Sequence, residues 1–269
     1  MTRLLCLAVL LAPAALAQPA VEAPLDRALA AVGSDGRVDY ARLAGPLKGD
    51  LDAALAAVAA QAPGALRSDA QKTAFLVNAY NAHVLAGLAG RPAARHIERE
   101  GLFDELFETP VRVAGLAMTL NQLEHGVLRR QGTVDGRAVP RALLALRPSR
   151  LDVRIHAALN CGAVSCPPLA RRAYRAATLD ADLDRPFAAF MASPRAARGD
   201  GGTLVLSSLF DWFAADFADG RRLGDALLAA MPAARATAAR EWLAGKTAEQ
   251  LRADRRVRFA YDWTVNRAR

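Results

Sequence analysis

Apolar positions recur in two rhythms along the chain. Residues 25–32 and 47–60 carry the three-to-four spacing of helices, separated by the turn residues Gly33-Ser34-Asp35-Gly36. Pro63-Gly64 breaks that pattern, and a longer helix is predicted from about Ser68 to Leu88, with Gly90 and Pro92 beyond its end. It is apolar on nearly every side (Phe75, Leu76, Val77, Tyr80, Val84, Leu85), as expected of a helix buried centrally. Residues 111–113 and 116–118 alternate around Ala114-Gly115 and predict a small hairpin. Thr119 and Gln122 form a capping box that opens a helix to about Gln131. The alternation of Val153, Ile155 and Ala157 with Arg154 and His156 predicts a strand running into Asn160-Cys161-Gly162. Further strands are expected at 204–206 and 257–261, and helices at 208–217, 224–230 and 237–243. With no repeat and no long linker, helices mixed with scattered strands predict a single α+β domain rather than a doubly wound parallel sheet.

The start of the chain follows a different logic. Arg3 precedes an apolar run from Leu4 to Leu16 that ends in Ala15-Leu16-Ala17, the layout of a secretory signal peptide. The run is shorter than the roughly 20 apolar residues a permanent span needs. The expected organisation is therefore a signal peptide over 1–17, a leader and N-terminal helix over 18–37, and one domain over 38–269. Export to the periplasm or the medium follows from this, with no stable membrane insertion after cleavage and no nucleic-acid partner. It also removes Cys6, leaving Cys161 and Cys166.

Charge adds less than its size suggests. The 269 residues carry a formal charge of +8, but all of the 35 basic residues except Lys48, Lys72 and Lys246 are arginine. With the abundance of alanine, this is a bias of composition rather than a basic binding face. The hydrophobic share of 53% excludes a disordered tail, and three cysteines exclude a disulfide-dense scaffold.

Four stretches place polar residues where packing alone has no use for them. Asn78 and Asn81 lie on one face of the buried helix, where an unpartnered amide costs about 1–3 kcal/mol. They either tie the helix to neighbouring backbone or serve a substrate carbonyl or a catalytic histidine. Glu124 shares an apolar face with Leu120, Val127 and Leu128, which calls for a salt bridge to an arginine or for work as the carboxylate that orients an imidazole. His125 points away from that face, toward Asn121 and Arg129. The third stretch runs from Arg154 to Pro168 and brings His156 five residues before Cys161. A cysteine nucleophile needs an adjacent imidazole or a helix N-terminus to form its thiolate. Against that stand a Cys161–Cys166 disulfide and a metal site built from His156, Cys161, Cys166 and His125, whose Cys-x₄-Cys spacing fits no common zinc motif. The fourth is Tyr261-Asp262-Trp263 with Asn266, where aromatics tie down a closing strand.

Taken together, these stretches resemble the DUF547 family. The resemblance rests on Val38-Asp39-Tyr40, on Ala74-Phe75-Leu76-Val77-Asn78-Ala79-Tyr80-Asn81-Ala82, and on Leu123-Glu124-His125. It continues through His156 and Asn160-Cys161-Gly162-Ala163-Val164-Ser165-Cys166-Pro167-Pro168-Leu169 to Tyr261-Asp262-Trp263 and Asn266. Leu76 departs from it, since many members carry a tryptophan there. The resemblance implies a papain-like, cysteine-nucleophile superfamily fold, with helices packed against a small antiparallel sheet. Plant-type relatives keep the first cysteine of the Cys-Gly run and carry serine at the second, which implies Cys161 as the reactive position.

The function expected on these grounds is an exported cysteine-dependent hydrolase (a thiol protease or amidohydrolase) of an amide or peptide bond, acting on short or thiol-containing peptides. Cys161 is the expected nucleophile, His156 the base and Glu124 its orienter, with His125 as the alternative base. The Cys161 backbone N–H with Asn78 or Asn81 is the expected oxyanion site. No cofactor and no metal is expected. The competing expectations are a non-catalytic exported binding protein with a structural Cys161–Cys166 disulfide, and a thiol–disulfide redox protein.

Overall fold

The computed structural model describes residues 20–268. The predicted signal segment, with Cys6, lies outside them. No helix among the described residues is long and apolar enough to cross a membrane.

The molecule is built around the helix Asp69–Ala89. Its start is fixed by a capping box, in which the Ser68 hydroxyl accepts from the Gln71 N–H at 3.1 Å and the Gln71 side chain accepts from the Ser68 N–H at 3.0 Å. Residues 73–82 are buried without a break, as its all-round apolar pattern requires. The helices Glu22–Ala28 and Lys48–Ala60 pack beside it. The hairpin of β1 (Val111–Val113) and β2 (Leu116–Met118) is antiparallel, as its alternation predicts. It is tied to the end of Lys48–Ala60 by Ala114 N–H to Val58 O and Gly115 N–H to Ala59 O, both 2.9 Å.

β3 (Thr133–Val134) and β4 (Arg137–Ala138) form a second small hairpin. β5 (Ala197–Asp200), β6 (Thr203–Ser207) and β7 (Val257–Ala260) make the largest sheet. The expected sheet was antiparallel, and this one is mixed. β6 pairs antiparallel with β5 but parallel with β7, in the register Leu204 opposite Val257 to Ser207 opposite Ala260. A parallel pair needs a long crossover. Helices between β6 and β7, Leu223–Ala230 and Ala233–Leu243 among them, provide it and bury Phe210, Phe217, Leu227 and Leu243 in a second apolar cluster beneath the sheet. The class is α+β, with small sheets among mostly helical elements.

Two elements next to the predicted chemistry differ from expectation. Residues 153–157, read as a strand, form the 3₁₀-helix Val153–Ala157. The Asp152 carboxylate caps it by accepting from the Arg154 N–H at 3.0 Å, and the Arg154 guanidinium folds back onto Asp152 and Asp184. Such local side-chain bonds compete with extended backbone. The helix after Thr119 opens with its capping box, both bonds 3.0 Å, but Gln122–Leu128 is a π-helix, a form concentrated at functional sites.

Candidate functional site

The cysteine loop is shaped by side-chain amides from distant parts of the chain. Asn81, in the central helix, accepts from the Asn160 N–H and donates to Ala158 O, both at 2.9 Å. The Asn160 amide then donates to Pro167 O at 2.8 Å, closing the loop on itself, and its oxygen accepts from the Gly162 N–H at 2.9 Å and from Asn266 at 3.2 Å. Asn266 accepts in turn from the Tyr40 hydroxyl at 2.6 Å. Beside this network the segment after β7 pairs with the loop, through Val164 N–H to Thr264 O and Asn266 N–H to Gly162 O, both 2.8 Å. Gly162 has φ +86°, and a Cβ there would collide with Leu88, so only glycine fits.

This loop holds two free thiols around one phenol. Tyr261 Oη lies 3.1 Å from Cys161 Sγ and 3.0 Å from Cys166 Sγ. The Cys161 N–H points at Cys166 Sγ, 3.1 Å away, rather than into open space. Cys161 is half-buried and Cys166 buried. Burial, and then the neighbouring Cys166, push the Cys161 thiol well above the ordinary range. Burial also acts against ionisation of Cys166, but hydrogen bonds from Cys161, Tyr261 and the loop backbone outweigh it and bring that thiol down. Burial and the two sulfurs push Tyr261 well up, so its hydroxyl stays a donor.

Lining the same cavity as the thiols is a histidine held by a carboxylate. His156 Nε2 lies 2.8 Å from Asp216 Oδ2, and Arg129 grips the same carboxylate at 2.5 and 3.2 Å. Burial raises the Asp216 carboxyl, but His156 and Arg129 prevail and hold it at about 2. An ionised carboxylate only accepts, so Nε2 carries a proton and the lone pair of the neutral ring lies on Nδ1. Nδ1 makes no hydrogen bond to a described residue. The ring is buried and stacked on Phe213, with centroids 4.1 Å apart. Arg129 also reaches His125 Nδ1 at 2.7 Å; arginine can only donate, so that nitrogen accepts.

Both thiols, Tyr261, His156, His125 and Arg129 line one cavity of about 290 Å³, together with Glu124, Tyr80 and a ring of aromatic side chains, with Asp216 behind His156 and Arg129. Residues 65–191 match the family model described as "Protein of unknown function, DUF547". Over these residues the chain is similar to DUF547. No curated protein and no solved structure matches the chain. The DUF547 segment includes the central helix, Glu124, His125, His156 and both thiols, whereas Asp216 and Tyr261 lie beyond it.

Within the DUF547 segment the predicted site residues divide. Cys161, His156, Glu124 and His125 share the cavity. Asn78 does not: it donates to Tyr174 O at 2.8 Å and accepts from the Tyr174 N–H at 2.9 Å, tying helix to loop. Asn81 is likewise committed to backbone, and the Cys161 N–H is committed to Cys166. The expected oxyanion donors are thus already engaged. Glu124 meets the Tyr80 hydroxyl, and the carboxylate on His156 is Asp216. No hydrogen bond joins either histidine to Cys161 among the described residues, and Cys161 lies in a loop rather than at a helix N-terminus. No cluster of three or more His, Cys, Asp or Glu suited to a metal occurs among the described residues. Sequence reasoning passed over Asp216. Its trace is an acidic residue three positions after Phe213 and one before Phe217, placing carboxylate and aromatics on one face of an alanine-rich run.

Proposed function

We propose that this protein is a cysteine-dependent hydrolase of an amide or peptide bond, exported to the periplasm or the medium. The observation that carries the proposal is the common cavity, lined by a half-buried thiol and by an imidazole whose tautomer is set by Asp216. Cys161 Sγ attacks the carbonyl carbon. His156 takes the thiol proton on Nδ1 through one water in the cavity and returns it to the leaving amine. Asp216, with Arg129 behind it, stabilises the imidazolium formed between these steps. The Tyr261 hydroxyl, 3.1 Å from the sulfur, donates to the developing oxyanion. A second water releases the acyl group from the thioester. The thiol is protonated at rest, so the proton leaves during attack rather than beforehand.

The test is turnover of a panel of N-acyl amides and short peptides by the wild type and by Cys161→Ala. Turnover that survives in the variant removes the nucleophile and the hydrolase with it. Export rests on the 1–17 segment, and N-terminal sequencing of protein from the exported fraction is expected to begin at Gln18.

A further inference from the structure

The cavity also carries information about what enters it. Exposed large apolar side chains are few among the described residues, namely Phe103, Leu144 and Trp212, and two of the three stand on this cavity. Trp212 is 46% exposed and Phe103 36%. Trp212 stacks on Trp263 at 5.6 Å, and both contact Tyr261, at 4.8 and 4.7 Å. Phe103 meets Trp263 edge-on at 5.9 Å. A continuous aromatic wall therefore runs from solvent to the phenol that touches both thiols. Leaving such rings in water is unfavourable unless something flat and apolar covers them.

The charges point the same way. Arg129 is the single Arg or Lys among the described lining residues. Its Nε and Nη2 are taken by Asp216, its Nη1 by His125, and its face lies over Phe213 at 4.7 Å. No guanidinium fork is left for a ligand carboxylate, which would instead meet the carboxyl group of Glu124 on the cavity wall.

We propose that the cavity selects an amide bearing an aromatic ring and no carboxylate, the ring seated against Trp212 and Trp263 with the carbonyl at Cys161. This deepens the hydrolase reading and excludes substrates that present a free carboxylate beside the scissile bond. At about 290 Å³ the space suits one bulky side chain rather than a long segment.

Thiol alkylation tests the selectivity without requiring hydrolysis. N-benzyl-chloroacetamide and N-chloroacetyl-glycine react alike: the sulfur–carbon bond forms, chloride leaves and the thiol proton passes to buffer. Rates at Cys161 are followed by intact mass on the whole chain, with Cys161→Ala as the control for the site. The benzyl compound is expected to react about tenfold faster than the glycine compound after correction for their rates with free cysteine. Trp212→Ala is expected to bring the ratio within about twofold, and Phe103→Ala to lower it less. Equal rates in the wild type, or a ratio unchanged in Trp212→Ala, overturn the selectivity. Cys161-dependent turnover with no such ratio removes the selectivity alone. A preserved ratio without turnover of any amide removes the hydrolase and leaves the selectivity standing.

Discussion

The two walls of the cavity are held by different physics. On the thiol side, Asn81, Asn160 and Asn266 pin the loop through neutral amide–backbone and amide–amide bonds. On the imidazole side, His156 and Arg129 converge on one ionised carboxylate beneath the face of Phe213. The amides do not titrate, so the loop keeps its shape over a wide pH range. The ionic side is stronger per contact but conditional, since it needs Asp216 charged. The difference assigns shape to one wall and proton handling to the other.

The largest expected effect belongs to the atom between them. Cys161→Ala should lower turnover by about 10³-fold or more while leaving the circular dichroism spectrum and melting temperature near those of the wild type. Next comes the ionic wall. Asp216→Ala strands two buried partners and should cost about 3 kcal/mol in denaturant unfolding. Asp216→Asn should lower kcat by about 10²-fold, whereas Glu124→Gln should change it by less than about tenfold. The reverse order would return the orienting role to Glu124.

Acid titration separates the walls further. The Asp216 carboxyl titrates below its unfolded value of 3.8, so its contribution to stability is complete above that pH and lost as the pH falls through about 2. The difference in unfolding free energy between wild type and Asp216→Asn should therefore shrink over that window. Asn160→Ala should lower stability by about 2 kcal/mol with no such pH dependence. The smallest effect is the most specific. Cys166→Ser takes away one of the two influences that hold the Cys161 thiol high, so the midpoint of its alkylation rate should move to lower pH. Burial remains, and the midpoint should stay above that of a free thiol. An unmoved midpoint would mean that the two sulfurs do not share their protons.

The long buried helix, the β1–β2 hairpin and the capping boxes were legible because local pattern decides them. The five-residue step from His156 to Cys161 was legible as a meeting of functional groups, though not as a geometry. Asp152 turned the expected strand into a 3₁₀-helix, a competition among neighbouring side chains that alternation does not report. Asp216 lies 60 residues beyond His156, and the pairing depends on how the second apolar cluster meets the first. Asn78 and Asn81 were correctly seen to need partners, but a sequence does not say whether a partner is a substrate or a carbonyl of the same chain.

The bond from Asn266 to Asn160 and the two contacts of Tyr261 set an order in time. A chain made only as far as β7 has both thiols but neither the phenol between them nor the Asn266 amide that braces their loop. Until those residues dock, the sulfurs are ordinary neighbouring thiols, open to oxidants and to each other. Afterwards they belong to a site. The reactive centre thus depends on residues far along the chain from the thiols themselves, and a chain interrupted before Tyr261 lacks the phenol that touches both sulfurs.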